Sequence, residues 1–114
     1  MCNELHVIHF QIDKITFDGY RAPSFLEIPA AREVGVEFGS FSKSFNMAGW
    51  RLGYCVGNKK LIEGLAKIKG YYDYGNFSPI QVSGIVALRD RDDDVRQQAG
   101  VYQKRRDTLC QGLE

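Results

Sequence analysis

A chain of 114 residues carries 15 basic and 14 acidic side chains, a formal charge of +1, with 44% hydrophobic and 25% charged residues. This balance belongs to one folded globular domain at most; it excludes a polyanion-binding surface built on bulk charge and a disordered acidic tail. No apolar run approaches the ~20 residues that span a bilayer, and Met1-Cys2-Asn3-Glu4 has neither the basic start nor the apolar stretch of a secretion signal. Nucleic acid and membrane are therefore not expected as partners, and the cytoplasm is the expected location. Cys2, Cys55 and Cys110 are odd in number and far apart, which fits neither a disulfide framework nor a CxxC site. Reduced thiols are expected, with Cys55 buried.

In chain order, Leu5 to Ile12 is β-rich with partial alternation and reads as a strand running towards the turn signal Asp18-Gly19. Pro23 and Pro29 restrict Arg21 to Ala31 to a loop or short helical turn. Val34 to Phe38 reads as a second strand, followed by a small polar stretch from Gly39 to Ser44, and Leu52 to Gly57 as a third strand. Asn58 is placed to cap a helix whose apolar residues Leu61, Ile62, Leu65 and Ile68 follow 3-and-4 spacing. Gly70 to Asn76 reads as a Tyr- and Gly-rich connection. Ser78-Pro79 has the form of an N-cap with proline at the first helical position, opening an apolar helix over Ile80 to Leu88. A final polar helix runs from Asp92 to Leu113. Its thin apolar stripe of Val101, Leu109 and Leu113 calls for cover from a partner subunit or further chain.

The chemistry concentrates around Lys43, where the sequence reads Gly39-Ser40-Phe41-Ser42-Lys43-Ser44 and continues to Gly49-Trp50-Arg51-Leu52-Gly53. Two hydroxyls, loop N–H groups and the planar fork of Arg51 suit a phosphate. A lysine beside a guanidinium and shielded from water gives up its proton more readily, and the neutral amine can form a Schiff base. Other clusters read more plainly. His6 and His9 fall on opposite faces of a strand, so no metal is expected, and Asp92-Asp93-Asp94 is an acidic helix start favoured by the macrodipole. Tyr71, Tyr72, Tyr74 and Phe77 lack a basic surround and read as packing or interface residues.

The S-x-S-K segment followed by G-x-R-x-G resembles the cofactor-lysine motif of class I/II aminotransferases, the fold type I pyridoxal-phosphate enzymes. Ile15 to Tyr20, Ala22-Pro23-Ser24 and Tyr74 to Gln81 are similar to the branch containing alanine and LL-diaminopimelate aminotransferases. The resemblance implies an α/β fold: part of the three-layer α/β/α large domain, incomplete, over residues 15–114, with residues 1–14 an unmatched N-terminal strand segment. It implies pyridoxal 5'-phosphate as cofactor, Lys43 as the catalytic Schiff-base lysine, and Ser40, Ser42 and Arg51 as phosphate ligands. Amino acid and 2-oxo acid are the implied substrates. A homodimer or a complementing chain is implied too, with Asn76 and Ser78 near the neighbour's site.

The sequence also departs from that family. Counted back from Ile15-Thr16-Phe17, an aspartate that pairs with the pyridine nitrogen belongs at His9 and a tyrosine that bonds the ring hydroxyl at Ile12. A histidine brings no negative charge, so a weaker electron sink is expected. The aromatic that stacks on the ring and the arginine that holds the substrate carboxylate belong to parts of the family not matched here. These departures leave three readings open: an aminotransferase or a truncated piece of one, weakly active or inactive alone; a different pyridoxal-phosphate reaction such as a lyase; and a non-catalytic interaction or oligomerisation module. The three strands are expected to show parallel-type burial, with helices on both faces.

Overall fold

The computed structural model describes residues 15–113. The strand expected over Leu5 to Ile12, with His6, His9 and Ile12, lies outside the described residues. The described part opens on a tight turn in which the Tyr20 N–H donates to the Phe17 carbonyl at 2.9 Å. Asp18 and Gly19 both take positive φ there, 56° and 75°, as the primed hairpin turns require. The two prolines then confine the chain to a 3₁₀ turn over Phe25–Glu27 and a short helix α1 over Ala31–Val34. Ser24 opens that 3₁₀ turn by accepting the Leu26 N–H at 3.2 Å.

Strands β1 (Val36–Ser40) and β2 (Gly53–Gly57) pair in the register Val36↔Gly57 to Ser40↔Gly53. The pairing is antiparallel, which corrects the expected parallel-type arrangement for these two strands. The physical reason is the connection. A parallel neighbour needs a crossover element, usually a helix, to bring the chain back to the starting end, whereas residues 41–52 hold only a 3₁₀ turn at Ala48–Trp50 and fold directly back. Two glycines make the pair possible. A Cβ on Gly39 would stand 2.1 Å from the Tyr54 ring, its register partner, and Gly57 combines a φ of 136° with a Cβ position 2.5 Å from the Gly35 carbonyl oxygen.

Asn58 joins three elements at the end of β2. Its Oδ1 accepts the N–H groups of Lys60 and Leu61, capping α2 (Lys59–Tyr72), while its Nδ2 donates to the Glu33 carbonyl at 2.6 Å. Helix α2 runs on through Gly70 to Tyr72, so the connection is shorter than the sequence reading. Helix α3 spans Ser78–Asp90 with Phe77, not Ser78, at its cap position and without a side-chain cap; Pro79 supplies the first-turn signal by itself. Helix α4 spans Asp92–Leu113, as its pattern predicts.

The core sits directly beneath the loop between the strands. Phe41, Met47, Leu52 and Ala87 are buried together, with Phe45, Tyr54 and Ile80 packed against them. Phe41 meets Tyr54 edge-on at 5.6 Å between ring centroids and Phe45 at 5.4 Å, geometries that aromatic quadrupoles favour. Gly84 brings α3 close to this cluster, since a Cβ there would meet Leu52 Cδ2 at 2.6 Å. Cys55 is half-buried rather than buried. The partial burial pushes the thiol up from its ordinary value.

Candidate functional site

The loop from Phe41 to Leu52 is closed at its neck by the Phe41 N–H donating to the Leu52 carbonyl at 3.3 Å, one step beyond the Ser40↔Gly53 pair. Ser42 and Arg51 are therefore the first residues past the neck, one on each side. Ser40 ends β1 and accepts the Ser42 N–H on its Oγ at 3.1 Å. That bond occupies a lone pair of the hydroxyl and leaves its proton for another acceptor. Within the loop the Phe45 and Met47 N–H groups both donate to the Phe41 carbonyl, and the Asn46 N–H donates to the Lys43 carbonyl at 3.2 Å. The loop is thus folded around its own backbone, with Phe41 and Met47 driven into the core and Lys43 turned outward and exposed.

The structure brings the four candidate residues Ser40, Ser42, Lys43 and Arg51 to one end of the two-stranded sheet. It does not supply the shielding expected around Lys43, which is exposed among the described residues. Arg51 makes no ion pair among those residues; its guanidinium donates to the Ala48 carbonyl at 3.0 Å. A cleft of about 480 Å³ behind the loop is lined by Ser44, Asn46, Arg91, Asp94 and Gln98, and none of the four candidates is in its wall. The open face of the loop and this cleft are therefore separate. Asn76 sits in a braced turn, its Oδ1 receiving Lys69 Nζ at 3.0 Å and its carbonyl receiving Gln81 Nε2 at 2.7 Å. The neighbouring Tyr71, Tyr72, Tyr74 and Phe77 are exposed, Tyr74 at 94%, so they do not pack within the described residues.

Two features escape the sequence reading. Arg51 adopts a left-handed backbone, φ 52° and ψ 41°, a conformation that non-glycine residues seldom hold and that tends to persist at functional sites. Glu37, on β1 three residues before Ser40, is buried and receives the Ser24 hydroxyl at 2.6 Å. The available signal is a carboxylate standing between Val36 and Phe38 in an otherwise apolar strand.

A family model described as aminotransferase class I and II matches residues 16–114. The chain belongs to that family. Glutamate-pyruvate aminotransferase AlaC from Escherichia coli (strain K12) is 54% identical over 99 residues, which are 87% of this chain and 24% of that protein. LL-diaminopimelate aminotransferase from Moorella thermoacetica is 50% identical over 100 residues, 88% of this chain and 26% of that one. Among solved structures, an aminotransferase from Staphylococcus aureus matches with a TM-score of 0.80 at 36% identity, covering 90% of this chain and 27% of the other. N-succinyldiaminopimelate aminotransferase from Mycobacterium tuberculosis matches with a TM-score of 0.83 at 28% identity, over 94% and 28%. The fold is accordingly part of a fold type I aminotransferase, and the chain spans about a quarter of the length of the curated relatives it matches.

Proposed function

We propose that this chain carries the cofactor-lysine loop of an enzyme that moves an amino group between an amino acid and a 2-oxo acid, with pyridoxal 5'-phosphate as cofactor. The observation that carries the reading is the closed neck at Phe41 and Leu52, which sets two hydroxyls, an ammonium and a guanidinium at one end of a sheet. That donor set fits a phosphate monoester bearing an aldehyde. Ser40 and Ser42 offer hydroxyl protons, and Arg51 offers a planar fork to two phosphate oxygens. When bound, pyridoxal phosphate supplies an electron sink for negative charge developing at the substrate Cα. Lys43 Nζ would hold the aldehyde end of the cofactor and would serve as the base that takes the proton from the substrate Cα. In this reading residues 15–114 are the lysine-bearing part of the large domain. Cys55 and Cys110 are both free, which fits the reducing cytoplasm.

A second copy or a complementing chain is part of this proposal. The exposed aromatics from the end of α2 to the start of α3, and the stripe of Val101, Leu109 and Leu113 on α4, are the faces that such a chain would cover. A second reading, an interaction module without activity, is favoured by His9 and Ile12, which stand where the family places a carboxylate and a tyrosine. One experiment separates the two. Pyridoxal phosphate is titrated into the chain and into Lys43→Ala while the near-visible absorbance is followed. The aminotransferase reading expects a saturable band in the parent that is lost in the variant; identical behaviour of the two proteins leaves the interaction module.

A further inference from the structure

Glu37 is the buried carboxylate of the described residues, 3% exposed, and the hydroxyl of Ser24 donates to its Oε2 at 2.6 Å. A buried charge is expensive unless it is hydrogen-bonded, and removal of its partner leaves it stranded. The Ser24 hydroxyl is fully directed, because its oxygen also accepts the Leu26 N–H and its one proton goes to Glu37. The bond therefore joins the start of the Phe25–Glu27 turn to the second residue of β1 across thirteen positions of sequence. An apolar contact at this place would tolerate sliding, whereas a directed bond to one carboxylate oxygen fixes where along its length β1 sits. A slip of one residue would turn Glu37 to the other face.

We propose that Ser24 and Glu37 are a positioning pair that fixes the register and depth of β1, and through it the place of Ser40, Ser42 and Lys43. The proposal rests on the cofactor reading of the loop. Glu37 is three residues from Ser40 on the same strand, and the Ser42 N–H hangs on the Ser40 hydroxyl. A displacement of the strand thus reaches the phosphate-binding hydroxyls without any intervening hinge.

The test compares the parent chain with Ser24→Ala, Ser24→Thr and the double variant Ser24→Ala/Glu37→Leu. Three quantities are read: the pyridoxal phosphate dissociation constant, the thermal midpoint, and hydrogen exchange of the Ser42 amide without cofactor. Ser24→Ala should weaken cofactor binding about tenfold, since it removes the directed bond that holds the buried carboxyl group in place, and Ser24→Thr should restore it. Replacing both partners by apolar groups returns most of the stability, but it cannot restore a directed bond. The double variant should therefore melt near the parent while keeping weak binding and fast Ser42 exchange. Parent-like affinity in the double variant would mean that the pair serves stability alone, and parent-like affinity and exchange in Ser24→Ala would equally overturn the proposal. If the parent takes up no cofactor through Lys43, the cofactor reading fails by itself. Ser42 exchange then decides the pair: faster exchange in Ser24→Ala supports it and unchanged exchange refutes it.

Discussion

Arg51 holds a backbone conformation that glycine would hold at lower cost, and it does so beside the neck of the lysine loop. The left-handed region costs a non-glycine residue roughly 1–2 kcal/mol, and the visible return among the described residues is one exposed bond to the Ala48 carbonyl. Such a balance is characteristic of a residue kept for what it binds. Arg51→Gly is accordingly expected to leave the denaturant midpoint unchanged or raise stability by about 1 kcal/mol. Under the proposed function, the same substitution should weaken pyridoxal phosphate binding by about tenfold to a hundredfold, because it removes the guanidinium proposed to hold the phosphate. Loss of stability with unchanged binding would assign Arg51 to folding instead. The identity of Ser40, Ser42, Lys43 and Arg51 was legible as a chemical set from sequence spacing. The left-handed turn at Arg51 was not, because a non-glycine residue carries no composition signal for that backbone, and the burial of Glu37 was not, because it arises from a contact with Ser24 that no local pattern encodes.

Among the elements, α2 and α4 follow their sequence patterns closely, since 3-and-4 spacing and the Asn58 cap are local properties. The relation between elements is not local. Helix α4 is tied to the first turn of the described chain by Arg106, whose two terminal nitrogens reach the two oxygens of Asp18 at 2.5 and 3.2 Å, while Gln103 Nε2 donates to the same carboxylate at 3.0 Å. The Arg106 guanidinium also lies over the Phe17 ring at 5.0 Å. The hydrogen bond from Arg106 holds the Asp18 carboxyl below the usual carboxylate range. A carboxylate so lowered stabilises the fold at pH values above its unfolded titration and loses that contribution as pH falls through its folded one. Asp18→Asn should therefore lower the thermal midpoint at pH 7, and the gap from the parent should close as pH falls below about 4. Because the pair is exposed, added salt should narrow the gap at pH 7 as well. A gap that stays constant across pH and salt would mean that shape, not charge, holds the turn to α4.

At the scale of the whole molecule the chain is open. Its radius of gyration is 17.0 Å and its extents are 52 × 39 × 25 Å, against about 13 Å for a compact domain of this length. Among the described residues the hydrophobic core cluster is the small one at the loop, while Tyr71 and Tyr72 at the end of α2, and Tyr74 and Phe77 between α2 and α3, are exposed. That connection is rigidly built: Gly75 N–H donates to Asp73 Oδ1 at 2.9 Å, and Lys69 pairs with Asp73. Exposed aromatics on an ordered turn lose little freedom on binding, which favours association. Sedimentation of the chain is expected to show a species heavier than a single copy, with Tyr74→Ser/Phe77→Ser shifted towards the monomer at equal concentration. A monomer in both proteins would remove the second copy from the proposed function.

The main helices, and the grouping of hydroxyls, lysine and arginine in one loop, are readable from the sequence, because helical periodicity, caps and the spacing of side chains are short-range properties. Tertiary contacts, by contrast, leave Lys43 exposed on an open face and bury Glu37 against Ser24, thirteen positions away, while the antiparallel run of β1 and β2 follows from the short direct connection between them. A buried contact between separated segments depends on how the chain packs rather than on any residue's own preference.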